Sequence, residues 1–445
     1  MVKRADFEKD FVWGVAASAF QTEGAVEADG KGLSIWDEFS RRKGKIYKGH
    51  AADISSDFYN QYTRDIALMK SMHINNFRFS FSWSRIFPAG TGEVNAKGVD
   101  FYDRVIDLCL EMGIRPWVTL YHWDLPLALQ QKGGWVNRDI VDYFSDYVAF
   151  CINHFGDRVK QWMILNEPMV YTGAGYFLGI HAPGKRGVDN FIPAIHHSAL
   201  SQSKGIRIAQ SLRTDLEVRT TFSCSAIHPH TSSQKDLNAA RRVDALVNRL
   251  FVEPLNGLGY PIQDLPFLKK IEKYMHSGDE IALHAEPDFI GIQNYTREVV
   301  KHSYFTPYIN SSLVNAKNRV DEVTEMAWEI YPQAMHEMLH QFSKYKFKKL
   351  YVTENGAAFP DIVEDGKVND IKRINYLQSN IAEILKAKKE GVNVEGYFVW
   401  SFTDNFEWAE GYRPRFGLVY IDYESQKRLI KASGHWYSNF LADLL

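Results

Sequence analysis

Short apolar runs recur along this chain and stop, one after another, at polar or turn-forming residues. Eight of them, at 11–17, 76–81, 116–121, 162–166, 218–224, 289–293, 349–354 and 396–402, read as strands. They are short and apolar on both faces, which is the pattern of a buried parallel sheet. Between them the period changes to 3.6. Tyr59, Tyr62, Ile66 and Met69 form one stripe, and Phe101, Val105, Leu108 and Met112 the next. Ile140, Phe144, Tyr147, Cys151 and Phe155 form a third, and Ile374, Leu377, Ile381 and Leu385 a late one. Such stripes mark helices with one buried face. Gly113 after Met112, and Gly391 after the Lys-rich turn 386–389, supply helix stops.

Strands and helices alternating through 445 residues predict an α/β fold, a (β/α)8 TIM barrel. It is read as one domain spanning 1–445, with long loops after the strands forming a pocket. An open doubly wound sheet is the alternative, and it usually carries a glycine-rich phosphate turn after its first strand. Here that place holds Gly14-Val15-Ala16-Ala17-Ser18-Ala19-Phe20-Gln21, with no G-x-G-x-x-G. The polar stretch 301–325 has no clear period and reads as a long lid or binding loop. The segment 361–370 carries Asp361, Glu364, Asp365 and Asp370 without calcium-loop spacing, and reads as solvated surface.

Composition narrows the classes. Net charge is −2, and no run of five like charges occurs, so neither nucleic acid nor an anionic membrane is expected as a partner. Cys109, Cys151 and Cys224 match no zinc or disulfide framework. The first two lie on apolar helix faces and read as buried thiols of a reducing compartment. The first seven residues lead straight toward a strand with no signal-peptide core, and no stretch approaches the ~18 apolar residues of a membrane span. A cytoplasmic protein is expected. Aromatic residues make up 14%, including 11 Trp and 23 Tyr. Aromatic faces suit the C–H faces of sugar rings, although a large core would also use them.

Two glutamates carry the chemistry. Glu167 ends the run Trp162-Met163-Ile164-Leu165-Asn166, and Glu354 ends Leu350-Tyr351-Val352-Thr353. Strand ends are where barrels of this kind keep catalytic residues. Two carboxylates facing one pocket are what glycosidic cleavage requires. The other strand ends offer Gln21, Arg78, His122, Trp123, Asn166, Gln293, Tyr295, Trp400, Glu407 and Trp408. Amides, acids and indoles with few cations suit a neutral, hydroxyl-rich ligand. Several residues also have a plainer reading, and the two glutamates could be salt-bridged or solvated strand-end acids. Arg78 could be a structural ion-pair partner, with Glu354 as the candidate acid. Gln21 could be a helix-start amide, and His122, Trp36, Trp123 and Trp328 could be core. His196-His197 reads as the structural start of a helix.

Six ordered stretches resemble glycoside hydrolase family 1, the β-glucosidase-type retaining enzymes. They are FVWGVAASAFQTEG (11–24), FRFSFSWSRI (77–86), TLYHWDLP (119–126), LNEP (165–168), VTENG (352–356) and WSFTDNFEWAEGY (400–412). The resemblance implies that Glu167 is the general acid/base and Glu354 the nucleophile. It implies that Gln21, His122, Asn166, Trp400, Glu407 and Trp408 hold the sugar. It places Tyr295 and Arg78 beside the nucleophile, and Trp328 at the leaving group. Trp123, Gln293 and Phe416 complete the expected binding set. One departure stands out: Gly291-Ile292-Gln293-Asn294-Tyr295-Thr296 has Gln and Asn where the family has Asn and Tyr.

The implied activity is exo-hydrolysis of terminal β-D-glucosyl residues, with galactosyl and fucosyl left open. Substrates would be small β-glucosides or short oligosaccharides such as cellobiose, and no cofactor is called for. Glu407 would repel a 6-phosphate. A metal-dependent hydrolase would need His-x-His at strand one, which is absent. A non-catalytic sugar-binding protein would keep the pocket without turnover. An S-glycoside specialist would be expected to alter the acid/base.

Overall fold

The computed structural model describes residues 2–444. Eight parallel strands close into a barrel: β1 (Val12–Ala16), β2 (Asn76–Ser80), β3 (Arg115–Tyr121), β4 (Gln161–Asn166), β5 (Glu217–Ser223), β6 (Phe289–Gln293), β7 (Leu350–Asn355) and β8 (Val394–Trp400). Neighbours in the ring are neighbours in sequence, and β1 closes it against β8, from Val12↔Gly396 to Ala16↔Trp400.

Each strand is followed by a helix: α1 (Phe58–Ser71), α2 (Ala96–Glu111), α3 (Ile140–Phe155), α4 (Val188–Leu212), α5 (Gln234–Asp244), α6 (Gln333–Phe342), α7 (Ile371–Lys389) and α8 (Ala432–Leu441). The two expected glycine stops hold. Gly113 (φ 71°) and Gly391 (φ 95°) adopt the left-handed conformation that ends a helix, and Val392 N then donates 3.0 Å to Ala387 O. Among the described residues no helix is long and apolar enough to cross a membrane.

The barrel interior is packed. Trp117, Met163, Phe289, Tyr351 and Phe398 fill it from five strands. Arg219 of β5 lies among them, fully buried, its guanidinium 3.0 Å from the centre of the Phe289 ring and 4.2 Å from that of Trp117. This layer is the floor under the strand ends.

Three expectations change. The stretch 301–325 is not a featureless loop: Arg297–His302 pairs with Ser311–Leu313, and with Ala226–Pro229 they form a small three-stranded sheet beside the barrel. Its strands are too short and polar to show a period. Within 361–370, Glu364 and Asp365 are exposed, but the Asp361 and Asp370 side chains are 0% and 1% exposed. Both ion-pair with Arg373, and Asp361 also with Lys431. Those cations come from α7 and from just before α8, so local spacing could not show the burial. His196 and His197 lie inside α4, not at its start, and His196 Nε2 donates 2.9 Å to Asp279. All three cysteines are free and buried, which for Cys109 and Cys151 is the expected outcome.

Candidate active site

The carboxyl ends of the strands surround a cavity of about 470 Å³. Every strand end contributes a residue, either to its wall or to the layer just beneath it. Glu354 is the second-to-last residue of β7 and is 3% exposed. Gly356 follows closely, and a Cβ there would meet Trp400 O at 1.8 Å, so the glycine lets β7 lie against the end of β8. Both Glu354 oxygens are gripped. Arg78 Nη1 ion-pairs with Oε1. Gln293 Nε2 donates to Oε1 at 2.7 Å, and the Tyr295 hydroxyl donates to Oε2 at 2.6 Å. Burial raises the Glu354 pKa, while Arg78 and Tyr295 oppose that rise.

Glu167 comes directly after β4 and starts the short helix Pro168–Thr172. Its backbone is left-handed (φ 48°, ψ 62°), although residues before proline favour extended conformations. Trp123 (φ 78°) and Trp408 (φ 47°) share this feature. Non-glycine residues held this way cost roughly 1–3 kcal/mol each and cluster where side chains must be aimed. Glu167 N donates 3.0 Å to Thr221 O, which fixes the turn. No hydrogen bond from a cation reaches its carboxylate among the described residues. Burial first, and the nearby Glu354 second, push its pKa well above the ordinary carboxylate range. The two acids face one cavity in unequal surroundings, and Glu354 is the one that ionises more readily.

Asn166 joins the two halves. Its Oδ1 accepts from Arg78 Nη2, from Gln293 Nε2 at 2.9 Å and from Thr221 Oγ1 at 3.0 Å. Its Nδ2 donates 3.2 Å to His122 Nε2. Burial and Arg78 hold the His122 pKa well below its usual value, so the ring is neutral. On the opposite wall Gln21 Nε2 donates to Phe406 O (3.0 Å) and Glu407 Oε2 (3.3 Å). Burial and Glu354 push the Glu407 carboxyl up to about 8. Trp123 lies 4.5 Å from Trp408, and Trp36 packs behind Trp408 at 4.6 Å. At the open end Tyr295, Trp328 and Phe416 group together, with Tyr295 and Trp328 5.2 Å apart.

Most expected residues line the cavity: Gln21, His122, Trp123, Glu167, Tyr295, Trp328, Glu354, Trp400, Glu407, Trp408 and Phe416. Asn166, Gln293 and Arg78 do not. They are 0% exposed and lie just beneath the wall, where the amides of Asn166 and Gln293 meet each other and that of Gln293 meets Glu354. The longer side chain of Gln293 spans from Asn166 to Glu354. Asn294 is turned away, donating to Cys224 O and Thr296 O.

Further wall residues escaped the sequence reading. Ser223, Cys224 and Ser225 end β5 and follow it, so the strand-end rule could have found them. His181, Glu298 and Met326 come from loops and the side sheet, with no local signal. Burial pushes Glu298 up to about 7. The wall holds Glu167, Glu298, Glu354, Glu407 and Glu410 but, among the described residues, no Lys or Arg. The one group of three metal-capable side chains with converging ligand atoms among the described residues lies elsewhere, on α6 and after α7.

Comparison with known proteins agrees with the geometry. The family described as glycosyl hydrolase family 1 matches residues 3–443. Beta-glucosidase A of Thermotoga maritima is 42% identical over 436 residues, covering 97% of each chain. Beta-glucosidase A of Acetivibrio thermocellus is 41% identical, covering 99% of each. The solved β-glucosidase of Thermotoga maritima in complex with deoxynojirimycin superposes with a TM-score of 0.95 at 41% identity, covering 98% of this chain and 99% of that one.

Proposed function

The chain belongs to glycosyl hydrolase family 1, and on that premise we propose that it is a retaining exo-β-glucosidase in which Glu354 is the nucleophile and Glu167 the general acid/base. The observation that carries this reading is the unequal treatment of the two acids. Arg78, Gln293 and Tyr295 hold Glu354 for attack, while Glu167, lacking a bound cation, keeps its proton.

A glucoside enters with its non-reducing sugar among Gln21, His122, Trp400, Glu407 and Trp408. A Glu354 oxygen attacks the anomeric carbon and the bond to the aglycone oxygen breaks. That oxygen takes the proton of Glu167. Water then attacks the glycosyl–Glu354 ester, giving its proton to Glu167, and releases glucose with its β configuration. The neutral His122 and the carboxyl of Glu407 offer donors and acceptors to hydroxyls. His122 Nδ1 has no protein partner among the described residues, which supports a role toward a sugar hydroxyl.

Tyr295, Trp328 and Phe416 flank the aglycone, and cellobiose is a fitting substrate. A wall with five carboxyl groups and no Lys or Arg among its described residues disfavours a phosphorylated sugar. Galactosides and fucosides are further substrates of the same site.

The test pairs a nitrophenyl β-glycoside panel, with and without EDTA, with trapping by a 2-fluoro-glucoside and peptide mass spectrometry. We expect chelator-independent cleavage led by the glucoside, and a glycosyl adduct on the peptide bearing Glu354. An inverted product, or an adduct on another residue, overturns the assignment.

A further inference from the structure

Two histidines outside the cavity converge on one carboxylate oxygen. His336 and His340 lie one turn apart on α6, their rings 4.5 Å apart centre to centre. Nε2 of each donates to the same Oε2 of Glu390, at 2.6 and 2.7 Å. Glu390 caps the C-terminus of α7. The three potential ligand atoms all lie within 4.8 Å of one another.

We infer that this cluster is a binding site for a borderline transition-metal dication, Zn2+, Ni2+ or Cu2+. Residues four apart on a helix share a face, so both imidazoles point the same way without rearrangement of α6. Tetrahedral ligands about 2.1 Å from a zinc ion lie about 3.4 Å apart. The present contacts need to open by less than about 1 Å to admit the ion. Two imidazoles and one carboxylate favour these ions over Mg2+ or Ca2+, which prefer oxygen alone. The side chains are 20%, 35% and 43% exposed, which leaves a path for the ion and room for water as a further ligand.

The electrostatic setting agrees. Glu390 sits at the C-terminal end of a nineteen-residue helix, where the aligned peptide dipoles favour a cation. The nearby Lys388 amine is drawn to Val394 O at 2.6 Å and to Glu8 at 3.1 Å. A plain surface ion pair would need one imidazole, whereas here two crowd the same oxygen. The ion would clip α6 to α7, the helices on either side of β7 in sequence, and would act on stability rather than on the reaction.

The test uses the full-length chain after chelator treatment. Calorimetry with Zn2+ and Ni2+, electron paramagnetic resonance with Cu2+, and melting curves with each metal are compared for wild type, His336→Ala, His340→Ala and Glu390→Gln. We expect one equivalent of metal, nitrogen hyperfine structure from two imidazoles, and a rise in Tm absent with Mg2+. Each substitution should weaken binding at least tenfold, while hydrolysis of an aryl glucoside stays at the wild-type rate. Binding that survives all three substitutions, or no binding at millimolar Zn2+, overturns the proposal. Neither outcome touches the two-glutamate reading, which rests on the other end of the molecule.

Discussion

Arg78 on β2 and Arg219 on β5 both project into the barrel, and both are 0% exposed. Arg78 reaches up to the strand ends and spends its donors on Glu354, Asn166, Thr353 O and Met163 Sδ. Arg219 lies in the floor against the faces of Phe289 and Trp117, with Nη2 on Gln161 and 3.5 Å from Glu217, whose side chain is 41% exposed, and with Nε and Nη1 without a partner among the described residues. Burial drives the Arg219 pKa well below its ordinary value, with Tyr351 and Glu217 only partly opposing. The same side chain is thus a counter-charge at one end of the barrel and a flat packing piece at the other. Burial alone does not identify a functional charge; the partner does.

Substitutions can break that contrast, starting where the effect should be largest. Glu354→Gln removes the acid that Arg78 serves, and kcat should fall by about 10⁵-fold with the fold retained by circular dichroism. Arg78→Met should cost about 10²–10³-fold in kcat. It should also move the acid limb of the pH–rate curve upward, because losing the cation raises the Glu354 pKa; near-normal activity would make the two arginines equivalent.

A pH-dependent effect on stability comes next. Glu407 has a pKa raised to about 8, so the native state holds a proton the unfolded chain releases. Stability therefore falls as pH rises from the unfolded carboxylate range, about 4.3, toward 8. Glu407→Gln escapes that loss, and urea titrations should show it stabilised by about 2 kcal/mol at pH 8 and unchanged at pH 4. Gln293→Asn shortens the bridge between Asn166 and Glu354, and should cost about 1 kcal/mol, roughly fivefold in kcat/KM. Smallest of all, Arg219→Met should leave kcat/KM within about twofold, with Tm equal or higher, since an apolar group can replace a buried ion.

The strands, the helix stops and the two glutamates were legible because their signals are local. An apolar run ending at Glu167 or Glu354 needs no partner to be seen. What could not be read depends on closure of the ring. Nothing near Gln293 in sequence says that its amide donates to both Asn166 and Glu354. Asp361 looked like surface because Arg373 and Lys431 arrive from later elements. The strands at Arg297–His302 and Ser311–Leu313 were missed since pairing, not periodicity, defines them. His336 and His340 lie four apart on one helix, but Glu390 joins them only across two helices, so no local signal marked the cluster.

Pairing of β1 with β8 makes the chain's two ends neighbours in the ring. The cavity wall correspondingly runs from Gln21 to Phe416. A nascent chain still tethered before β8 has Glu167 and Glu354 but neither Trp400 nor Glu407, and no seam to hold Gln21 in place. Enzymatic activity should therefore emerge late, with the final closing step, and its recovery on refolding should lag the return of helical signal. Turnover in this protein doubles as a clock for the moment the ring is sealed.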